Sequence, residues 1–152
     1  MAIREIITFD DAFLRKRCKP VDTVNGHVRQ ILNDMAETMY HTENGGGLAA
    51  CQIGILRRLV VVDMGQGLLR LVNPRIVKAE GEQIRIEGCL SYPGIWGKVK
   101  RPQTVVVECL NENGEAVVIE AHDELSQCLC HEIDHLDGVL YTDKIIEYVK
   151  NE

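Results

Sequence analysis

The stretch His131-Glu132-Ile133-Asp134-His135 carries the residue types that hold a metal ion and work beside it. On a helix, residues four apart lie on one face, one turn above the other. His131 and His135 can therefore converge on one ion, with the Glu132 carboxylate turned toward the same place. Two ligands and a general base on one rigid element is the arrangement of metal-dependent hydrolases. A catalytic tetrahedral site needs a third protein ligand and an open position. Downstream of His135 stand only Asp137, Asp143, Glu147 and Glu152, in a tail too short for another well-formed helix, and no histidine. The His-x-x-Gly-x-x-His extension of one peptidase class is therefore excluded. His27, His41 and His122 fall at the ends of expected elements, where a solvated histidine is the common case. Cys89 follows a glycine in the bend Glu87-Gly88-Cys89-Leu90-Ser91, so its thiol and the next backbone N–H can face one site. Taken alone, a cysteine beside a strand more often packs as a small hydrophobe.

The elements that must position these groups are legible in outline. Asp10 or Asp11 caps a short helical turn that ends before Pro20. Asn25 is the expected N-cap of a helix to about His41, with Val28, Ile31, Leu32, Met35 and Met39 at helical spacing. Asn44-Gly45-Gly46-Gly47 ends that helix and frees the backbone to approach a ligand closely. It lacks the Gly-Lys-Ser/Thr of a phosphate loop, and Gln52 after it offers both donors and an acceptor. Residues 59–63 and 68–72 read as strands around Gly65-Gln66-Gly67, with a break at Asn73-Pro74 and further strands at 75–79 and 83–87. Residues 88–94 read as a bend. Residues 103–110 and 116–121 flank Asn113-Gly114 as a hairpin. The motif helix starts at Asp123, the expected N-cap, and stops at Gly138. One long helix, many short antiparallel strands and then a second helix make an α+β pattern.

Length and composition bound the function classes. A chain of 152 residues fits one domain, residues 1–152. A net charge of −6 argues against a broad nucleic-acid surface, which needs clustered Lys and Arg. No apolar run approaches the ~20 residues of a membrane span, and the N-terminus lacks the apolar region of a signal peptide. A cytoplasmic protein is expected, and a monomer, since no heptad or apolar interface stands out. Six cysteines in such a chain are expected to be free thiols rather than disulfides, at most one of them on metal.

Three stretches together carry a resemblance. Gly45-Gly46-Gly47-Leu48-Ala49-Ala50-Cys51-Gln52, Glu87-Gly88-Cys89-Leu90-Ser91 and His131-Glu132-Ile133-Asp134-His135 resemble, in order, the three motifs of the peptide deformylases. Their spacing is similar too, and shorter matches at Leu14-Arg15-Lys16, Lys19-Pro20-Val21, Arg101-Pro102 and Asn113-Gly114 extend the resemblance over nearly the whole chain. It implies small antiparallel sheets packed around a central motif helix. It implies that Cys89, His131 and His135 bind one divalent ion, ferrous iron being the family's usual metal and zinc, nickel or cobalt able to replace it. The implied activity is removal of the N-formyl group from the formyl-methionine of newly made polypeptides, releasing formate, with metal-bound water as nucleophile and Glu132 as general acid/base. By the same resemblance, Gln52 and the Leu90 N–H stabilise the oxyanion, and Gly47 pairs with the substrate main chain. Ile86, Leu125 and Cys128 wall the methionine pocket. The implied partners are a formylmethionyl peptide or nascent chain, with transient ribosome association.

The chain also departs from the family. Gly46 stands where a branched apolar residue is common, Cys51 where proline is common, and Cys130 where glutamine usually precedes the motif histidine. Gly46 should loosen its loop, and Cys130 could alter the support behind the ligands or offer a rival thiol near the metal. Some members continue into a long C-terminal helix, whereas this sequence ends soon after Ile145-Ile146, so docking attributed to such a helix is not expected here. Two other readings compete: a zinc peptidase using the same helix, and a non-catalytic metal or binding protein whose fourth position is filled by Cys128 or Cys130.

Overall fold

The computed structural model describes residues 2–43 and 45–150; Asn44, which opens the glycine strip, lies outside them. The chain folds as an α+β protein with two antiparallel sheets. Its elements are α1 (Asp11–Leu14), α2 (Gly26–Tyr40), β1 (Gly47–Ala49), β2 (Leu59–Val62), β3 (Leu69–Glu80), β4 (Gln83–Cys89), β5 (Tyr92–Arg101), β6 (Thr104–Leu110), β7 (Ala116–His122), α3 (Asp123–Leu136) and β8 (Ile145–Val149). One sheet has the order β1-β2-β3-β6-β7 and the other β4-β5-β8.

The unbroken apolar run of β2 is explained by burial on both faces. Val60 and Val62 pack with Leu129, Ile133 and Leu136 of α3, whereas Leu59 and Val61 pack with Ile31, Leu32, Met35 and Met39 of α2. The five-stranded sheet is thus held between the two long helices, and the motif helix is clamped along its own apolar face. Each such side chain contributes about 1.5–3 kcal/mol when fully buried. A smaller cluster of Leu14, Tyr92, Leu140 and Tyr141 ties the N-terminal segment and the tail to the second sheet.

Several local expectations hold. The Asp10 carboxylate accepts from the Phe13 N–H at 3.1 Å, and the Asn25 side chain accepts from the Val28 N–H at 3.0 Å. Gly138 closes α3 at φ +74°, and a Cβ there would collide with the Arg15 carbonyl, so only glycine fits.

Other expectations are corrected. Asn73-Pro74 does not end a strand: β3 continues to Glu80 through a register shift between Val72 and Arg75. Asn73 adopts φ 51° and exchanges two hydrogen bonds with the backbone of Val21, 2.8 and 2.9 Å, so the bulge is used to hold another segment. Residues 88–94 are not an irregular bend. They form a tight hairpin in which Cys89, the end of β4, pairs with Tyr92, the start of β5. Asp123 does not cap α3: His122 is the N-cap without a side-chain bond, and the Asp123 carboxylate is taken by the Gln103 side chain. The acidic pair Asp123 and Glu124 still lies in the first turn, where negative charge suits the helix dipole. The apolar tail supplies β8, which pairs with β5.

Candidate metal centre

The site forms where α3, the β4–β5 hairpin and β1 meet. His131 and His135 lie on one face of α3 with ring centroids 5.1 Å apart. Cys89 reaches them because the register slips between Glu87 and Cys89. Gly88 in that slip faces the Trp96 ring so closely that a Cβ would lie 2.5 Å from it. The bulge aims the thiol at the helix, and Cys89 Sγ sits 3.3 Å from His135 Nε2. One donor atom from each of Cys89, His131 and His135 falls within 4.8 Å of the others. Among the described residues no further Cys, His, Asp or Glu joins the three. That speaks against a fourth protein ligand.

The His131 ring is held from behind. His131 Nδ1 lies 2.8 Å from Glu87 Oε1, so with Nδ1–H donated to the carboxylate the Nε2 lone pair is left for the site. Glu87 in turn receives Arg101 Nε at 2.8 Å and Nη2 at 2.9 Å. The third Arg101 nitrogen donates to Asp134 Oδ2 at 2.6 Å, and Lys144 Nζ lies 3.1 Å from the same oxygen. Burial works against charge on Glu87, but hydrogen bonds from Arg101 and His131 outweigh it and lower its pKa to about 2. On His131 burial also opposes charge, yet the Cys89 thiol and the Glu87 carboxylate draw positive charge to the ring and raise its pKa. Burial lowers the pKa of His135. A thiol and two imidazoles beside an anchored carboxylate suit a divalent cation with borderline-soft ligands, and the residues present fit one.

Glu132 is buried, and its Oε1 finds no hydrogen-bond partner among the described residues. Burial pushes its pKa up to about 7, the range in which a carboxyl can both accept and return a proton near neutrality. Its carboxylate lies against Gly47, where a Cβ would stand 2.8 Å from both Glu132 Oε2 and Cys128 Sγ. Gln52 is held at both ends of its amide. Its Oε1 accepts from the Ala49 N–H at 2.9 Å, and its Nε2 donates to Ser91 Oγ at 3.1 Å while lying 3.6 Å from Cys89 Sγ. The N-terminal segment braces this pair, Ile7 N–H donating to the Gln52 carbonyl at 2.7 Å and Phe9 N–H to that of Ser91 at 2.9 Å.

A cavity of about 390 Å³ opens over these groups. Gly47, Ile86, Cys89, Leu90, Cys128, His131 and Glu132 line it, so most of the site residues inferred from the sequence come together. Leu125 does not line it and packs instead on the apolar core beneath. A larger hollow of about 950 Å³, between residues 19–31 and 54–59, contains none of the chemistry-bearing groups.

The unusual residues also find their places. Cys130 is 4% exposed in the core between helix and sheet, and burial pushes its thiol up to about 11. It packs, and it is not a rival ligand. The Cys51 thiol donates to the His135 carbonyl at 3.8 Å. The Gly46 carbonyl accepts from the Asp63 N–H at 2.8 Å. All six cysteines are free thiols. Sequence reasoning missed the roles of Glu87, Ser91, Arg101 and Asp134. Glu87 and Ser91 stood inside a quoted motif, but Arg101 reaches Glu87 only through the hairpin.

The profile of the polypeptide deformylase family matches residues 3–151. Peptide deformylase 2 of Clostridium acetobutylicum is 53% identical over 150 residues, covering 99% of this chain and 100% of that one. The peptide deformylase of Caldanaerobacter subterraneus is 57% identical over 152 residues, 100% of this chain and 95% of the relative. The crystal structure of the Thermotoga maritima peptide deformylase superposes with a TM-score of 0.91 at 38% identity, covering 95% of this chain and 99% of that one. The chain belongs to the polypeptide deformylase family.

Proposed function

We propose that residues 1–152 act as one catalytic domain that hydrolyses the N-formyl group of formyl-methionine at the start of newly made polypeptides. In this reading Cys89, His131 and His135 hold one divalent ion, ferrous iron in the cell, with zinc, nickel or cobalt able to replace it. The ion supplies Lewis-acid polarisation of a carbonyl and acidifies a water. The balance is simple: water adds to the formyl carbon, the C–N bond breaks, and formate and a free α-amine leave.

The chain's own groups do the rest. Glu132 Oε1, buried and without a partner, takes the water proton and returns it to the departing amine. Such acid–base work contributes roughly 10²–10⁴-fold. The Gln52 Nε2–H and the Leu90 N–H donate to the oxyanion that develops on the formyl oxygen, and losing one such donor costs about 10²–10³-fold. β1 and β4 are edge strands of their two sheets, and residues of both line the cavity. An extended peptide can therefore lie there as an added strand, with Gly47 pairing to its main chain and Ile86 and Cys128 against the methionine side chain; Leu125 backs this wall from the core. The observation that carries the reading is the convergence of the Cys89-His131-His135 donors with a partner-free, proton-ready Glu132.

The substrate is a formylmethionyl peptide or nascent chain, met through transient association with the ribosome. The protein works as a cytoplasmic monomer. No described helix is long and apolar enough to cross a membrane.

The test is formate release from formyl-Met-Ala-Ser by anaerobically purified protein, alongside metal analysis. Wild type should contain one ion per chain and release formate. Glu132→Gln should keep the ion and lose about 10³-fold or more in turnover; a variant with wild-type turnover would sink the mechanism.

A further inference from the structure

One wall of the catalytic cavity belongs to a residue that the chemistry does not use. Met64 stands on the turn between β2 and β3, and that turn is tied down. The Asp63 carboxylate accepts from the N–H groups of Gly65 at 2.9 Å and Gly67 at 3.3 Å. It also accepts from Tyr40 Oη at 2.6 Å. The Met64 N–H donates to Gln66 Oε1 at 3.0 Å. Gly65 and Gly67 take φ +106° and +107°, which glycine adopts without strain.

The Met64 side chain lies across Gly46. A Cβ built on Gly46 would stand 2.5 Å from Met64 Sδ and 3.7 Å from its Cε, so the thioether fills the space that a side chain at position 46 would take. Met64 also lines two hollows at once, the catalytic cavity and a neighbour of about 620 Å³ that includes Ile84 and Lys98. Ile86 and Gln127 are the other residues common to both. These three side chains form the neck between the hollows.

In an extended peptide, alternate side chains share a face and lie about 7 Å apart. A first side chain seated in the catalytic cavity therefore places the third toward the neighbouring hollow. From this juxtaposition we propose that Met64 is a specificity-determining residue. Its side chain stands in for the missing one at Gly46 and forms the apolar wall between the first and third side chains of the peptide. A thioether on three rotatable bonds adapts to different neighbours, so this wall selects for apolar character rather than for one shape. The inference rests on the deformylase reading above.

The test compares kcat and KM for formyl-Met-Ala-Leu and formyl-Met-Ala-Gly in zinc-loaded wild type, Met64→Ala and Gly46→Ile/Met64→Ala. Wild type should prefer the leucine peptide. Met64→Ala should raise KM for that peptide about tenfold, in line with the lower end of apolar-pocket discrimination, while kcat stays within about twofold and the preference over glycine disappears. The double variant restores a side chain over the same space and should recover most of the affinity. Calorimetric binding of formyl-Met-Ala-Leu in the Glu132→Gln background should show the same loss without turnover. An unchanged KM in Met64→Ala, or a double variant that recovers nothing, overturns the inference and leaves the deformylase reading standing. If wild type releases formate from neither peptide, the deformylase reading itself fails.

Discussion

The floor and the rim of the cavity are held in different ways. On the floor, beside Cys89 and His135, His131 is backed by charged groups that are themselves paired: Glu87 by Arg101, and Arg101 by Asp134. Arg101 is only 2% exposed, and its guanidinium reaches two carboxylates in one plane, which lysine cannot imitate. On the rim, Gly46, Met64 and Ile86 offer backbone and apolar surface, and Met64 and Ile86 are 37% and 53% exposed. Chemistry needs donor atoms fixed to fractions of an ångström, whereas a site that accepts many polypeptides needs walls that yield. Damage to the floor should therefore appear in metal retention, stability and kcat, and damage to the rim in KM and selectivity.

The largest effect expected from this contrast comes from Arg101→Met. It leaves the buried Glu87 carboxylate without its guanidinium partner, while Asp134 keeps Lys144, and breaking such a buried pair costs about 3–5 kcal/mol. Urea denaturation and zinc retention after dialysis should both fall, while the Met64→Ala substitution should move neither. Equal losses in the two variants would erase the distinction between floor and rim.

Ser91→Ala probes the floor more gently. Ser91 Oγ accepts from Gln52 Nε2 at 3.1 Å and, with the Ala49 N–H, fixes the amide. Releasing one end should lower kcat about tenfold, short of the ~10²–10³-fold cost of losing an oxyanion donor outright, with KM and metal content unchanged. Combined with Gln52→Ala, the serine change should add almost nothing. Additive losses would mean that Ser91 acts elsewhere.

The smallest effect is expected at a carboxylate remote from both. Burial tends to raise the pKa of Asp34, but hydrogen bonds from Arg4, Gln30 and the Ala2 N–H more than offset it and leave it lowered. A folded pKa below the ordinary 3.8 means that the ionised form stabilises the fold. That contribution is complete above the ordinary value and is lost as pH falls through the folded one. The stability gap between wild type and Asp34→Asn in urea should therefore be widest near neutrality and close in acid, with turnover at neutral pH alike. A gap independent of pH would remove the ionic account of this contact.

Much of the site was legible because its signals are local. Four-residue spacing on a helix places His131 and His135 together whatever surrounds them, and Asn25 and Gly138 mark helix ends through their own backbone chemistry. Cys89 was ambiguous by itself, since a buried thiol and a ligand thiol look alike in one sequence; the resemblance of three motifs in order is what pointed to it as a ligand. The expectation of a bend at 88–94 failed because Pro93 and Gly94 read as turn residues, yet both sit within β5 once β4 pairs with it. Asp123 looked like a cap, but the tertiary partner Gln103 competes for its carboxylate.

By themselves, then, the residues determined the pairing of His131 and His135 on one helix face, the place of Glu132 beside them, the glycine strip and the run of short strands, because each depends on spacing along the chain. The tertiary structure alone decided which groups stand behind and beside them. Arg101 meets Glu87 through the register of a hairpin, Cys130 is withdrawn by packing between helix and sheet, and Met64 covers Gly46 from a turn eighteen positions further on. Those contacts join segments far apart in sequence, and only burial of the two cores fixes the distances between them.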